Sequence, residues 1–197
     1  MDDMEHLATW CSFLVCFYGL FRKSSVAPET FNDTTKALSR RNFMFDWRTK
    51  TILIYVNQSE VIQFGQRDLV IPLLHNTDPA MDPWRHLTAL FTKHNADFDS
   101  PAFSYAINKC ITYESFTKNL KKLLKATGTN PDLYSGHSFR RGGATFLHSC
   151  GGNILQVQAA GDWSSMCFTR YLFLSLDQRI SSQQLMRNNI DSTRAPM

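Results

Sequence analysis

The chain has 197 residues, 43% of them hydrophobic and with 15 Phe, 6 Tyr and 4 Trp, which is ample for one core and excludes a disordered chain. A formal charge of +4 is too small to name a partner, but its distribution is uneven. Residues 1–103 carry 10 Lys and Arg against 12 Asp and Glu, whereas residues 104–197 carry 11 against 5, so an anionic partner belongs on the C-terminal half.

The apolar run "LATWCSFLVCFYGLF" (7–21) predicts a deeply buried helix over about Glu5 to Arg22. It is shorter than the roughly 20 residues of a membrane span. It also follows Asp2, Asp3 and Glu5, where a signal peptide would carry positive charge, so no membrane association is expected. Cys11 and Cys16 lie on different faces of this helix. With Cys110, Cys150 and Cys167 they make an odd set without a C-x-x-C pair, which reads as reduced thiols of an intracellular protein rather than a zinc site.

Residues 24–39, with Pro28 and "NDTT", read as a loop. Three short segments rich in β-branched and aromatic residues follow, "NFMFD" (42–46), "TILIYVN" (51–57) and "DLVIPL" (68–73). They predict a small antiparallel sheet. Beyond it the chain turns helical. "DPWRHLTALFTKH" offers Asp82 as cap, Pro83 at the first helical position and a stripe of Trp84, Leu87, Leu90 and Phe91. "TYESFTKNLKKLLKATG" (112–128) sets Phe116, Leu120, Leu123 and Leu124 inward and Lys118, Lys121, Lys122 and Lys125 outward, stopping at Gly128. Three further helices are expected at about 137–149, 153–160 and 164–174, before a polar tail.

The segment "GHSFRRGGATF" (136–146) carries chemistry. His137 and Arg140, three apart, share a helix face. A guanidinium is a permanent planar fork for phosphate oxygens, and an imidazole exchanges a proton near neutral pH. Gly142 and Gly143 each lower helix stability by roughly 1 kcal/mol relative to Ala, which is reasonable where a ligand backbone must come close. About twenty residues on, "GDWSSMCFTRY" ends in Tyr171, eight positions after Trp163.

With these motifs the chain resembles the catalytic domain of the tyrosine recombinases, the phage-integrase superfamily, and most of all its eukaryotic transposon-borne, Crypton-like branch. "FYGLFRKSS" matches the first-arginine motif at Arg22, "GHSFRRGGAT" supplies His137 and Arg140, "GDW" supplies Trp163, and "TRYLF" supplies Tyr171. The resemblance implies an α+β fold, mostly helical, with a three-stranded antiparallel sheet. The catalytic domain would occupy 1–176 and a polar tail 177–197, with no room before Arg22 for the family's N-terminal clamping domain. It implies a nuclear protein that recombines or integrates double-stranded DNA through a 3′-phosphotyrosine intermediate, working as a synaptic tetramer without metal or cofactor. Arg22 and Arg140 would hold the phosphate, His137 would move the tyrosine proton, Trp163 would donate its indole N–H and Tyr171 would attack. Lys118, Lys121, Lys122 and Arg141 would contact DNA.

One position departs from the family pattern. The lysine between the second and third strands is replaced by Glu60 in "SEVIQF", and Lys50 lies in the preceding turn instead. A carboxylate cannot readily protonate a leaving alkoxide at neutral pH. A DNA-binding module that no longer cuts is therefore the competing reading. Taken singly the residues have plain explanations as well: Arg22 as the C-terminal cap of the first helix, the lysines as a solvated face, and Trp163 and Tyr171 as core. The scattered acids do not form the carboxylate cluster of a metal-dependent nuclease.

Overall fold

The computed structural model describes residues 3–33, 36–56 and 69–172, together with residues 176, 179–181, 183–184 and 186–187, which are helical. Glu60 and the start of the tail at 177–178 lie outside the described residues.

Helix α1 (Asp3–Tyr18) runs through the centre, and Ala8, Cys11, Phe13, Leu14, Val15 and Cys16 are all buried. It stops four residues before the expected end. Gly19 is closely covered by the Phe21 ring, and Leu20 adopts a left-handed backbone with φ of 52°. A short helix α2 (Lys23–Val26) follows, where only loop was expected. Arg22 is thus the N-cap of α2 rather than the cap of α1, because the Leu20 turn redirects the chain before it.

The three expected strands form, as β1 (Phe43–Asp46), β2 (Thr51–Val56) and β3 (Leu69–Leu74), in the antiparallel order β1-β2-β3. Residues 52, 54 and 56 of β2 point into the core, the period-2 burial of a sheet covered on one face. The sequence reading missed a tiny hairpin, β4 (Ser104–Ala106) and β5 (Lys109–Cys110), which turns at Asn108 with φ of 56°. Its strands are too short for a periodicity to register.

Helix α3 (Pro83–Lys93) starts as expected: the Asp82 carboxylate accepts from the Trp84 N–H, Pro83 opens the helix, and Trp84, Leu87 and Leu90 are buried. In α4 (Tyr113–Ala126) Phe116 and Leu120 are buried, but Leu123 is 39% exposed and does not join the core. Its place on the inner face goes to Asn119, whose amide donates to the Thr9 hydroxyl at 2.9 Å. Helices α5 (Gly136–Ser149) and α6 (Ile154–Ala160) match expectation. The last expected helix, however, is a 3₁₀ segment, Met166–Tyr171. Its three-residue turn puts Phe168 and Tyr171 on the same side, where Phe168 is fully buried.

Two apolar clusters result. The larger joins α1, α3 and the sheet, with Phe13 of α1 stacked on Phe139 of α5 (centroids 4.7 Å apart) and edge-on to Phe116 of α4. The smaller gathers Leu20, Ala144, Val157 and Phe168, with Trp163 and Tyr171 against it. Helix α5 touches both, so residues along it are fixed by packing at either end. Among the described residues no helix is long and apolar enough to cross a membrane. The five cysteines are free thiols, with Cys11, Cys16 and Cys110 buried; burial pushes the Cys110 thiol up to about 11 and the other two higher still.

Candidate active site

The start of α5 is built by a reciprocal cap. The Ser135 hydroxyl accepts the His137 N–H at 3.3 Å, while the Ser135 N–H donates to the Ser138 hydroxyl at 3.0 Å. Gly136 follows because its Cα lies against the stem of Lys23, where an added Cβ would fall 2.7 Å from Lys23 Cβ. The cap sets His137 on the first turn, exposed, with its ring toward the end of the 3₁₀ segment. There His137 Nε2 lies 3.1 Å from the Tyr171 hydroxyl, and the two rings meet edge-on at 74°.

One turn further, Arg140 is buried, with 6% of its surface exposed. Its Nη1 donates to the Leu20 carbonyl and its Nη2 to the Gly161 carbonyl at 2.6 Å. The guanidinium carbon sits 4.3 Å from the centre of the Trp163 ring, and Trp163 stacks on Phe168 with centroids 5.1 Å apart. Trp163 in turn needs Gly161 bare, since a Cβ there would come within 2.0 Å of the indole. The Arg140 Nε is buried without a hydrogen-bond partner. Burial first, and then the charge of Arg22, lower the Arg140 guanidinium to about 10, so it remains a cation at neutral pH.

Arg141, exposed on the next position, holds its guanidinium 5.2 Å from the centre of the Tyr171 ring. Thr145, one turn beyond Arg141, brings its hydroxyl to 2.6 Å from the Tyr171 carbonyl. No sequence signal pointed to Thr145, because a threonine inside a helix usually bonds only its own helix. Half-buried Arg22 acts on the same place from α2, since its charge contributes to the shifts of both Arg140 and His137. The imidazole of His137 is drawn below its usual value by partial burial and then by Arg140, Arg141 and Arg22, so at neutral pH it is neutral and able to accept the Tyr171 proton.

The structure therefore brings together Arg22, His137, Arg140, Arg141, Trp163 and Tyr171. One of the paired glycines does a different job from the one expected. Gly143 faces the C-terminal turn of α1, where an added Cβ would lie 2.1 Å from the Phe17 carbonyl, so it serves the contact of two helices. Only Gly142 lines open space, a cleft of about 630 Å³ shared with Tyr134, Arg141, Phe146 and Tyr171. The lysines Lys118, Lys121 and Lys122 are exposed on α4, and Lys121 lies 3.4 Å from Asp132. Among the described residues no group of three or more His, Cys, Asp or Glu side chains could hold a metal ion.

No protein-family model matches the chain, and no curated protein matches it in sequence. Its fold does match solved structures. One is the XerH site-specific recombinase bound to a palindromic difH substrate in a post-cleavage complex, with a TM-score of 0.63 and 12% identity over 95% of this chain. Another is the Tn1549 transposon integrase in complex with a circular intermediate DNA, with a TM-score of 0.57 and 12% identity over 88% of the chain. A third is the XerA recombinase, with a TM-score of 0.53 and 14% identity over the whole chain. The chain spans 48% of the XerH chain, 57% of the integrase and 65% of XerA. The architecture, mostly helical with a small three-stranded antiparallel sheet, is the tyrosine recombinase catalytic-domain fold.

Proposed function

We propose that the chain is a DNA strand-transfer domain of the tyrosine recombinase type, with Tyr171 as nucleophile. The observation that carries this reading is the 3.1 Å contact between His137 Nε2 and the Tyr171 hydroxyl, among the charges of Arg22, Arg140 and Arg141. A neutral imidazole takes the phenolic proton as the tyrosine oxygen attacks a DNA phosphorus. The new O–P bond is a 3′-phosphotyrosine, the bond to the 5′-oxygen breaks and that oxygen takes up a proton from solvent. The 5′-hydroxyl of a partner strand later attacks the phosphotyrosine, and the imidazolium returns the proton to the departing tyrosine oxygen. Because the link conserves the phosphodiester energy, the cycle uses neither a nucleotide nor a redox partner. The positive field of these guanidiniums offsets the charge that builds on the non-bridging oxygens, Arg140 through its charge alone because both its Nη groups already serve main-chain carbonyls. Solved neighbours of this fold are bound to DNA, which supports DNA as the partner here.

The finer reading extends to a Crypton-like, transposon-derived protein of the nucleus that assembles on DNA as a synaptic tetramer, its catalytic domain at 1–176 and a tail at 177–197. The motif order "FYGLFRKSS", "GHSFRRGGAT", "GDW" and "TRYLF" supports it. A second reading, a module that grips DNA without cutting, is favoured by Glu60, which occupies the sequence position where the family pattern has its proton-donating lysine.

Trapping on a nicked duplex under denaturing conditions separates the two, using wild type, Tyr171→Phe and Glu60→Lys. A wild-type adduct lost in Tyr171→Phe establishes the strand-transfer activity. An adduct only in Glu60→Lys assigns a disarmed scaffold. Salt-sensitive binding without any adduct leaves the binding module.

A further inference from the structure

We infer that Thr145 is a positioning residue for Tyr171, holding the main chain of the nucleophile while His137 holds its hydroxyl. This rests on the reading of Tyr171 as nucleophile.

The Thr145 hydroxyl has one proton and two carbonyls in reach, Tyr171 at 2.6 Å and Arg141 at 3.0 Å. The Arg141 carbonyl already accepts the Thr145 N–H by the i→i−4 rule of the helix. Tyr171 ends its 3₁₀ segment, and the next amide, Leu172, turns back to the Thr169 carbonyl. A carbonyl at a helix end has lost its helical donors. The proton therefore belongs on Tyr171, at the shorter of the two distances.

The geometry gives this bond more than a structural meaning. His137 and Thr145 are eight residues apart on α5, about 12 Å along one rigid helix. The first reaches the phenol oxygen and the second the main-chain oxygen of the same residue, and Arg141 between them approaches the ring. One helix thus grips both ends of the tyrosine, whereas the 3₁₀ segment that carries it is a short and weakly bonded element. Without the Thr145 bond Tyr171 keeps its side-chain contact but loses the anchor that fixes where its oxygen sits relative to the arginines. Misplacement of a reacting atom by about 1 Å costs on the order of a hundredfold in rate.

The test compares Thr145→Val, which keeps the shape and removes the donor, with Thr145→Ser, which restores the donor. The first readout needs no turnover: a 3-fluorotyrosine placed at position 171 and followed by fluorine NMR in the free chain. The resonance moves and broadens in Thr145→Val and returns to the wild-type position in Thr145→Ser. The second readout is single-turnover adduct formation on a nicked duplex beside DNA affinity. The Val variant forms adduct about ten- to a hundredfold more slowly with unchanged affinity, and Ser recovers the rate. If Thr145→Val does not fold, Thr145→Ala is measured in the same way. A fluorine resonance that stays in place in Thr145→Val overturns the anchor, and so does an unchanged adduct rate. If the resonance moves as expected but wild type gives no adduct, the strand-transfer reading fails and the anchor stands.

Discussion

Arg140 Nη2 donates to the carbonyl of Gly161 at 2.6 Å, while the same guanidinium reaches the Leu20 carbonyl at the other end of the chain. Both acceptors sit at backbone turns that side chains rarely adopt: Leu20 itself has φ of 52°, and Asp162, next to Gly161, has φ of 49°. One buried cation thus pins two strained turns. Arg140→Ala removes both bonds and is expected to cost at least about 3 kcal/mol, at 1.5–3 kcal/mol for each hydrogen bond to a charged group. In a chain of this size that lowers Tm by roughly 6–12 °C. Arg141→Ala, on the exposed neighbour, stays within about 0.5 kcal/mol of wild type. Calorimetry of the two variants checks this, and equal melting temperatures would remove the strut role.

The pH dependence follows from His137. Its folded value is depressed by burial and the three arginines, so between that value and about 6.5 the unfolded chain binds the extra proton. Stability is full above about 6.5 and falls as the pH drops through this window. His94, lowered by burial and Arg40, slopes in the same direction. The contribution of His137 is therefore the difference between wild type and His137→Asn in denaturant titrations at several pH values. Anion binding neutralises the arginine field, so a short DNA duplex raises the His137 midpoint in an NMR titration. A midpoint unmoved by DNA would place the phosphate elsewhere.

The two glycines of α5 separate by outcome although they are neighbours. Gly143→Ala drives a methyl into the Phe17 carbonyl and is expected to destabilise by about 1–3 kcal/mol, the usual cost of overpacking. Gly142→Ala meets nothing nearer than the Phe17 ring at 3.9 Å and should stabilise the helix by up to about 1 kcal/mol. Chemical denaturation of the two single variants decides it; the expectation fails if both shift stability the same way.

Much of this fold was legible in the sequence, and for identifiable reasons. The sheet shows itself through β-branched runs, and α3 through Asp82, Pro83 and its apolar stripe. Composition could not see where α1 stops, because Leu20 adopts a conformation its residue type disfavours and is held there by a bond from Arg140. Nor could it see that Leu123 stays outside while Asn119 is buried, since the Asn119 partners come from α1, far away in sequence. At the site, residue order nominated His137, Arg140, Trp163 and Tyr171. What it could not supply was the use of each group: Arg140 has both Nη groups on main-chain carbonyls, and Thr145 acts across to a segment 26 residues away.

The lysines of α4 give a prediction about salt. Lys118 and Lys122 are exposed, whereas Lys121 has Asp132 within 3.4 Å. If the helix lies along a DNA backbone, Lys118→Ala and Lys122→Ala each reduce the slope of log affinity against log salt by about 1, and Lys121→Ala changes it less. Unaltered slopes in all three would return these lysines to an ordinary solvated face.

The bond from Arg140 to Leu20 spans 120 positions of sequence, and that from His137 to Tyr171 spans 34. No local stretch of the chain can therefore assemble this centre. The turn after α1, the first turn of α5 and the end of the 3₁₀ segment have to arrive from distant parts of the polypeptide, and contacts of that kind are made slowly and late in folding. The arrangement of these side chains is thereby withheld until the whole molecule has closed.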